Sequence, residues 1–277
     1  MKRSAVYFFV LLQLTLQACA TLVQAPQYPP DPARGAPLEA YARVLARYVN
    51  ERGEVDFPAL ARDRADLDYY VAYVARTPDD QFAIRNDRLA HYINSYNALS
   101  MYNVLEAGIP ETHAGLAKVE FFYLRKLVIG NRRLSLYQYE NDIIRPLGDP
   151  RVHFALNCSA LGCPILPRTP FTGRDLEAQL DREARKFFAE ARNLRVVHSS
   201  RVVYLSELLD FYPEDFLTAA TPSWIAYVNQ YLPEPIPLDY EVRFTDYDWT
   251  IANSRRGSVR SQDSIRAETP VGTFQNP

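Results

Sequence analysis

The sequence predicts an α+β fold, a helix-rich single domain with a small, mostly antiparallel sheet. Apolar residues recur at helical spacing in four runs, at 38–49, 58–76, 88–107 and 173–192. Two short runs rich in β-branched residues, 194–197 and 202–205, predict a hairpin. The 277 residues are 48% hydrophobic, which is enough for one sizeable core, or at most two small ones. We therefore expect one domain over residues 38–252.

Start and stop signals bound the predicted helices. Pro58 can occupy the first position of the second helix, and Gly108 can stop the third. Ser135 can cap a short helix at 136–145, and Thr172 can cap the long helix that follows it. These signals predict where each helix begins and ends.

Alternation and turn residues predict the remaining strands. Runs at 118–123 and 126–136 alternate, and Gly130-Asn131 predicts a hairpin turn. Residues 152–156 predict a short buried strand, and residues 241–250 predict the last strand.

The N-terminus carries the features of a targeting segment. Lys2 and Arg3 precede an apolar run, 6–16, which is too short for a membrane-spanning helix of ~20 residues. The sequence Leu16-Gln17-Ala18-Cys19 resembles a bacterial lipobox, in which the cysteine thiol takes the lipid. We expect a signal peptide at 1–18 and lipidation of Cys19. The alternative is an ordinary secretory signal with a chance cysteine.

The segments outside the expected domain are a tether and a tail. Residues 19–37 are Pro-rich and predict an extended tether. By resemblance to other bacterial lipoproteins, Ala20 after the cysteine favours the outer membrane, with the protein facing the periplasm. Residues 253–277 have no apolar period and predict a disordered tail.

Charge and motifs exclude several classes of partner. Removal of Lys2 and Arg3 leaves 29 basic and 33 acidic residues and moves the net charge from −2 to −4. A mildly acidic body argues against a nucleic-acid partner, which needs a basic surface. The sequence has no GxGxxG, no phosphate-binding glycine loop, no GxSxG and no HExxH, so we predict no cofactor and no metal.

The stretch 149–164 holds the candidate chemistry, with His153, Cys158 and Cys163. In an oxidising compartment the two cysteines predict a disulfide. Alternatively, one thiol, Cys158 or Cys163, is a nucleophile and His153 is its base, with Asn94, Asn97 or Asp215 orienting the imidazole. A metal site from the same three residues matches the usual ligand spacing weakly. The remaining interpretation is that both cysteines are free, unreactive thiols.

Two asparagines stand three residues apart on one face of the third helix. Asn94 and Asn97 interrupt an apolar pattern, and buried amides must find hydrogen-bond partners. They either brace the fold by binding loop backbone or line a site.

Five motifs follow one another along the chain. They are Val49-Asn50 with Gly53-Glu54-Val55-Asp56-Phe57, Tyr92-Ile93-Asn94-Ser95-Tyr96-Asn97-Ala98-Leu99, the stretch 149–166, Leu205-Ser206 followed by Phe211-Tyr212 and Asp215-Phe216, and Tyr247-Asp248-Trp249-Thr250. In this order they resemble the domain of unknown function 547 family, and the resemblance covers about residues 40–252. The chain departs from the family at His91-Tyr92, where Phe-Trp is usual, and at Phe211, where Trp is usual. The resemblance implies the fold and no settled activity.

Two functional hypotheses follow. In the first, the protein is a thiol-dependent hydrolase or acyl transferase, with Cys158 as nucleophile and His153 as base. Asn94 and Asn97 then orient the imidazole or stabilise an oxyanion. In the second, the protein is a non-catalytic envelope module that binds a peptide, a glycan or another envelope protein. A Cys158–Cys163 disulfide is then a structural clasp.

Overall fold

Helices and two small sheets make up the computed structural model, which describes residues 20–255. The α+β class predicted from the sequence is confirmed, and one hydrophobic core runs through the described residues. The predicted signal peptide, Cys19 and residues 256–277 of the predicted tail lie outside the described residues and stay predictions. Within residues 20–255, every helix is too short or too polar to cross a bilayer.

The helices and strands are, in chain order, β1 (Thr21–Leu22), α1 (Pro37–Tyr48), α2 (Phe57–Arg62), α3 (Ala65–Arg76), α4 (Arg85–Glu106), α5 (Leu116–Val119), β2 (Arg125–Ile129), β3 (Arg132–Leu134), α6 (Leu136–Tyr139), α7 (Leu176–Ala189), β4 (Leu194–Val197), β5 (Val202–Ser206), α8 (Pro213–Phe216), α9 (Trp224–Val228) and β6 (Glu241–Thr245). A π-helical segment continues α5 over Glu120–Leu124, and another continues α6 over Glu140–Ile144. A 3-10 helix covers Pro150–Phe154.

Helix α4 is the centre of the domain. It is 22 residues long, and every residue from 89 to 105 is buried. A helix that is covered on all sides cannot leave its polar side chains to water, so each of them must bond to protein. This requirement connects α4 to the loops around it.

The predicted helix at 58–76 is wrong as a single element, because the structure divides it into α2 and α3. Asp63 lies between them with a non-helical backbone (φ −142°, ψ 70°). The hydroxyl of Tyr48 donates to the carbonyl of Asp63 at 3.1 Å, and Arg47 pairs with the Asp63 carboxylate at 2.7 Å. These contacts with α1 stabilise a break that the local sequence pattern does not show.

The strand predicted at 118–123 is also wrong, because these residues lie in α5 and its π-helical continuation. Phe121 and Phe122 both contact the ring of His113, which adjacent residues of a strand could not do because their side chains point to opposite faces. The hairpin at Gly130-Asn131 is confirmed. Ile129 pairs with Arg132 across it, and both turn residues have the positive φ that a tight hairpin needs.

The strands form two mixed sheets rather than one mostly antiparallel sheet. The first has the order β1-β2-β3, with β1 parallel and β3 antiparallel to β2. The second has the order β4-β5-β6, with β4 antiparallel and β6 parallel to β5. The hairpin predicted at 194–205 is confirmed. The parallel pairs join distant parts of the chain, so alternation along the sequence could not reveal them.

The first residues of the predicted tether pack against the domain. Thr21 and Leu22 pair with Arg125 and Lys126, and Val23 is buried. The hydroxyl of Tyr102 donates to the carbonyl of Gln24 at 2.8 Å. The chain is therefore fixed to the body from Thr21 onward.

The buried strand predicted at 152–156 is wrong, because residues 150–154 form the 3-10 helix instead. Pro150 lies in the first turn of this helix, where a backbone N–H would have no partner within the helix, so the N–H that proline lacks is not missed. The side chain of Asp149 caps the helix by accepting from the Arg151 amide at 3.1 Å. Local capping therefore overrides the apolar character of the run.

Candidate active site

One cleft contains His153, Cys158 and Cys163. Its volume is about 240 Å³, which suits a side chain or a short acyl group. Phe122, Phe211 and Trp249 are among its aromatic lining residues. The structure thus brings the three predicted residues of the central stretch to one place.

Helix α4 fixes the loop that leads to the first thiol. The amide of Asn97 donates to the carbonyl of Ala155 at 2.9 Å and accepts from the N–H of Asn157 at 2.7 Å. The Asn157 side chain in turn donates to the carbonyl of Pro164 at 2.8 Å, which closes the loop. All of these groups are buried, so the loop has few other ways to satisfy its backbone.

Residues 248–250, which follow β6, hold the loop from the other side. The amides of Leu161 and Gly162 donate to the carbonyls of Thr250 and Asp248, each at 2.8 Å. A Cβ on Gly162 would lie 2.7 Å from the ring of Tyr247, so only glycine permits this close approach. Tyr247 is thereby held directly over the thiols.

The two thiols are in direct contact and are not bonded to each other in this structure. The sulfurs of Cys158 and Cys163 lie 2.7 Å apart, against about 2.05 Å for a disulfide. The Cys163 sulfur also accepts from the backbone N–H of Cys158 at 3.0 Å and from the hydroxyl of Tyr247 at 3.0 Å. Cys158 has a longer contact with the same hydroxyl, at 3.5 Å.

These contacts separate the acidities of the two thiols. Burial raises the pKa of Cys158, and its bond to Cys163 raises it further. Burial also opposes ionisation of Cys163, but its bonds from Cys158, from Tyr247 and from backbone amides outweigh this and lower the pKa. Burial and the neighbouring thiols raise the pKa of Tyr247, so it stays protonated and donates. The pair therefore ionises first at Cys163.

His153 is oriented by Asp215. Its Nε2 lies 2.6 Å from Oδ2 of Asp215, and Arg145 holds the same carboxylate at 2.6 Å. Burial raises the pKa of Asp215, but its hydrogen bonds to His153 and Arg145 have the larger effect and lower the pKa to about 2. An ionised carboxylate only accepts, so Nε2 carries a proton and Nδ1 is the nitrogen left for proton transfer. The ring stacks on Tyr212 with centroids 4.1 Å apart.

A second carboxylate faces the other side of the imidazole. Oε1 of Glu140 lies 4.0 Å from Nδ1 of His153. Its Oε2 accepts from the hydroxyl of Tyr96 at 2.9 Å. Glu140 is buried and lines the cleft. The imidazole is thus placed between two carboxylates, those of Asp215 and Glu140.

The sequence-predicted site residues divide into two groups. Cys158 and His153 line the cleft, but within residues 20–255 no hydrogen bond joins His153 to either sulfur. The structure does not bring Asn94 and Asn97 to the cleft. Asn94 is bonded in both directions to the backbone of Phe171, at 2.8 and 2.9 Å, just as Asn97 is bonded to its loop. Both asparagines therefore brace the fold, and Asp215 alone of the three candidates orients the imidazole.

Three polar groups of the site were not singled out from the sequence. Tyr247 stood within a recognised motif, Glu140 in a predicted helix, and His113 in no pattern at all. The Nε2 of His113 lies 3.0 Å from the carbonyl of Cys158. Burial lowers the pKa of His113 to about 4, so it is neutral and supports the loop as a hydrogen-bond donor.

The metal interpretation finds no ligand set in the described part of the chain. No group of three or more His, Cys, Asp and Glu side chains converges there in a way that could hold an ion. His153 is instead hydrogen-bonded to Asp215, and the two sulfurs contact each other and the hydroxyl of Tyr247.

The fold and the cleft define a one-domain α+β protein with paired thiols and a histidine–carboxylate pair in an aromatic cleft. Residues 80–188 match the model of the family described as "Protein of unknown function, DUF547". This match supports membership of the family that the motifs predicted. The matched segment includes α4, His153 and both thiols. Comparison with curated proteins and with solved structures found no match.

Proposed function

We propose that the protein is a lipid-anchored envelope enzyme, a thiol-dependent hydrolase or acyl transferase whose reactive sulfur is Cys163. The observation that carries the proposal is the set of donors around this sulfur. A backbone N–H and the Tyr247 hydroxyl each lie 3.0 Å from it, inside a cleft that also holds His153. Such donors stabilise a thiolate, which is the nucleophilic form of cysteine. Cys158, the nucleophile expected from the sequence, becomes the protonated neighbour.

The proposed reaction has two steps. In the first, the Cys163 thiolate bonds to the acyl carbon, and the bond to the leaving group breaks as that group takes a proton from Nδ1 of His153. In the second, water or an acceptor alcohol or amine gives its proton to Nδ1 while its oxygen or nitrogen bonds to the acyl carbon. The thiolate then leaves, and both enzyme groups return to their first state.

The aromatic side chains that line the cleft support an apolar acyl group as the bound part of the substrate. Phe211, Tyr247 and Trp249 contact one another, with Tyr247 and Trp249 centroids 4.5 Å apart. Lys118 lies over the Trp249 ring at 4.0 Å and over Phe211 at 5.2 Å. A volume of about 240 Å³ limits the buried part to a short chain or one side chain.

A second candidate function is supported by the distance between the sulfurs. At 2.7 Å, oxidation to a disulfide requires a movement of well under 1 Å. The protein is then a non-catalytic module that binds a peptide, a glycan or another envelope protein, and the bond is a clasp. Closing so short a loop contributes roughly 2 kcal/mol to stability.

The envelope location is part of the proposal and is supported by the sequence of residues 1–20. Lipidation of Cys19 is tested by radiolabelled palmitate in a bacterial host. Label should be present in the parent chain and lost in Cys19→Ser, and equal label in both would contradict it.

Acyl transfer itself is tested by trapping. The reduced protein is incubated with p-nitrophenyl esters of increasing chain length, and the acyl-enzyme is located by mass spectrometry. We expect a thioester on Cys163 that is absent in Cys163→Ser and present in Cys158→Ser. No thioester in the reduced parent chain, or the same labelling in both variants, would overturn the proposal and leave the clasp as the better function.

A further inference from the structure

We propose that a surface stripe beside the cleft docks the protein onto a phospholipid bilayer. The stripe consists of Leu116, Val119, Tyr123 and Tyr137. Their exposed fractions are 88%, 44%, 43% and 42%, in the order given, which is unusual for large apolar side chains that lie together. The inference goes beyond the proposed chemistry, and its choice of a bilayer as the occupant rests in part on the proposed lipid at Cys19.

Three residues of the stripe share one face of a helical segment. Leu116, Val119 and Tyr123 follow one another at helical spacing along α5 and its π-helical continuation. The ring of Tyr137, from α6, stacks on that of Tyr123 with centroids 4.5 Å apart. The stripe is therefore one continuous surface rather than four scattered side chains.

The direction of β1 shows at which end of the strand the chain before Thr21 enters the domain. Strand β1 runs parallel to β2, with Thr21 opposite Arg125 and Leu22 opposite Lys126. In a parallel pair, the residue before Thr21 comes next to the residue before Arg125, and that residue is Leu124, the last of the helical segment. Ala20 therefore lies at the end of β1 that is nearest to Leu124, where the segment that bears the stripe ends. Cys19, the expected lipid site, is bonded directly to Ala20.

Both the anchor and the stripe therefore favour a bilayer as the occupant. Because β1 is fixed to the sheet from Thr21 onward, a lipid on Cys19 would leave little slack between the body and the membrane. Apolar and tyrosine side chains are typical of surfaces that enter the headgroup region.

Docking by this stripe has a consequence for the cleft. Tyr123 and Tyr137 belong to the stripe and also line the cleft, together with Lys118. The mouth of the cleft is therefore at the membrane surface when the stripe is docked. Amphiphiles in the bilayer would then reach the thiols more readily than solutes would.

The test uses the chain from Ala20 onward, which keeps every described residue and has no lipid. Co-sedimentation with vesicles of phosphatidylethanolamine and phosphatidylglycerol measures the partition coefficient. We expect Leu116→Ser with Val119→Ser to lower it by about tenfold or more. The matched control is Ile84→Ser with Leu238→Ser, which changes two exposed apolar residues outside the stripe, 65% and 66% exposed. The control should stay within about twofold of the parent chain.

Thermal unfolding shows whether the variants fold, and exposed residues should leave the midpoint unchanged. A parent chain that does not bind vesicles, or equal losses in the stripe and control variants, would overturn the proposal. A dimer of the parent chain that the stripe variant abolishes, seen by sedimentation velocity without vesicles, would assign the stripe to a second copy and also overturn it. Palmitate labelling tests the lipidation of Cys19 in a separate experiment, so failure of docking and failure of lipidation are distinguishable.

Discussion

The hydroxyl of Tyr247 donates a hydrogen bond to the sulfur of Cys163 at 3.0 Å, across 84 residues of sequence. Cys158 lies within reach of the same hydroxyl, at 3.5 Å, but its own backbone N–H points to Cys163 as well. Two thiols of the same chemistry and similar burial are thereby made unequal. This asymmetry is the centre of the proposed mechanism, and it can be removed one contact at a time.

Tyr247→Phe should raise the pKa of the Cys163 thiol, because it removes a hydrogen bond to the thiolate, and a hydrogen bond to a charged group is worth about 1.5–3 kcal/mol. The pH dependence of thiolate absorbance near 240 nm measures the change. Tyr137→Phe is the control, since that ring lines the cleft mouth without touching either sulfur. An unchanged titration in Tyr247→Phe would show that the Tyr247 hydroxyl does not stabilise the Cys163 thiolate.

Substitutions of Asn94 and Asn97 in α4 can distinguish a residue that supports the thiol site from one that supports only the fold. Asn97→Ala and Asn94→Ala each leave a buried backbone donor and acceptor unpaired, and each should cost about 2–4 kcal/mol in the free energy of unfolding. Only Asn97 is bonded to the loop before Cys158. Urea unfolding measures the cost, and the alkylation rate of the thiols measures the effect on the site. We expect the rate to change in Asn97→Ala and to stay constant in Asn94→Ala, and the reverse pattern would contradict the structure.

The carboxylate of Asp215 should make stability depend on acid pH. Its folded-state pKa of about 2 lies below its ordinary value of 3.8, so its contribution is present above about pH 4 and is lost as the pH falls toward 2. With partial exposure taken into account, we expect about 1–2 kcal/mol. Urea unfolding at pH 6 and pH 2.5 should show a smaller difference for Asp215→Asn than for the parent chain. Asp239→Asn, at an exposed ion pair with Arg201, should behave like the parent.

Oxidation should convert the pair into a disulfide with little change elsewhere. Mild oxidant should remove both thiols from titration and raise the free energy of unfolding by about 2 kcal/mol. The unfolding midpoint of oxidised and reduced protein measures this, with Cys158→Ser as the variant that cannot respond. Thiols that stay titratable after oxidation would show that the sulfurs do not approach as the structure has them.

Much of the fold could be predicted from local patterns. The buried run of α4, the hairpin at Gly130-Asn131 and the Ser135 cap follow from spacing and from turn and capping chemistry, and the structure has all three. The errors had two causes, tertiary contacts at one position and local capping at another. The break at Asp63 is stabilised from α1, and the 3-10 helix at 150–154 replaces a strand because Asp149 caps it.

The site could be predicted only in part for the same reason. His153 and the thiols are close in sequence, so their meeting in one cleft followed from the stretch that holds them. Asp215 was one of three candidates that residue type alone could not rank. The order in which the thiols ionise depends on Tyr247, and nothing near Cys163 in the sequence indicates that contact.

The identity of the reactive sulfur is tested most directly by alkylation of the reduced protein with limiting iodoacetamide near pH 6, with peptide mapping by mass spectrometry. The account predicts that the label appears on Cys163 first, that Cys158→Ser keeps this labelling, and that Cys163→Ser loses most of it. Label that appears first on Cys158, or equally on both cysteines, would contradict the assignment of Cys163 as the thiolate.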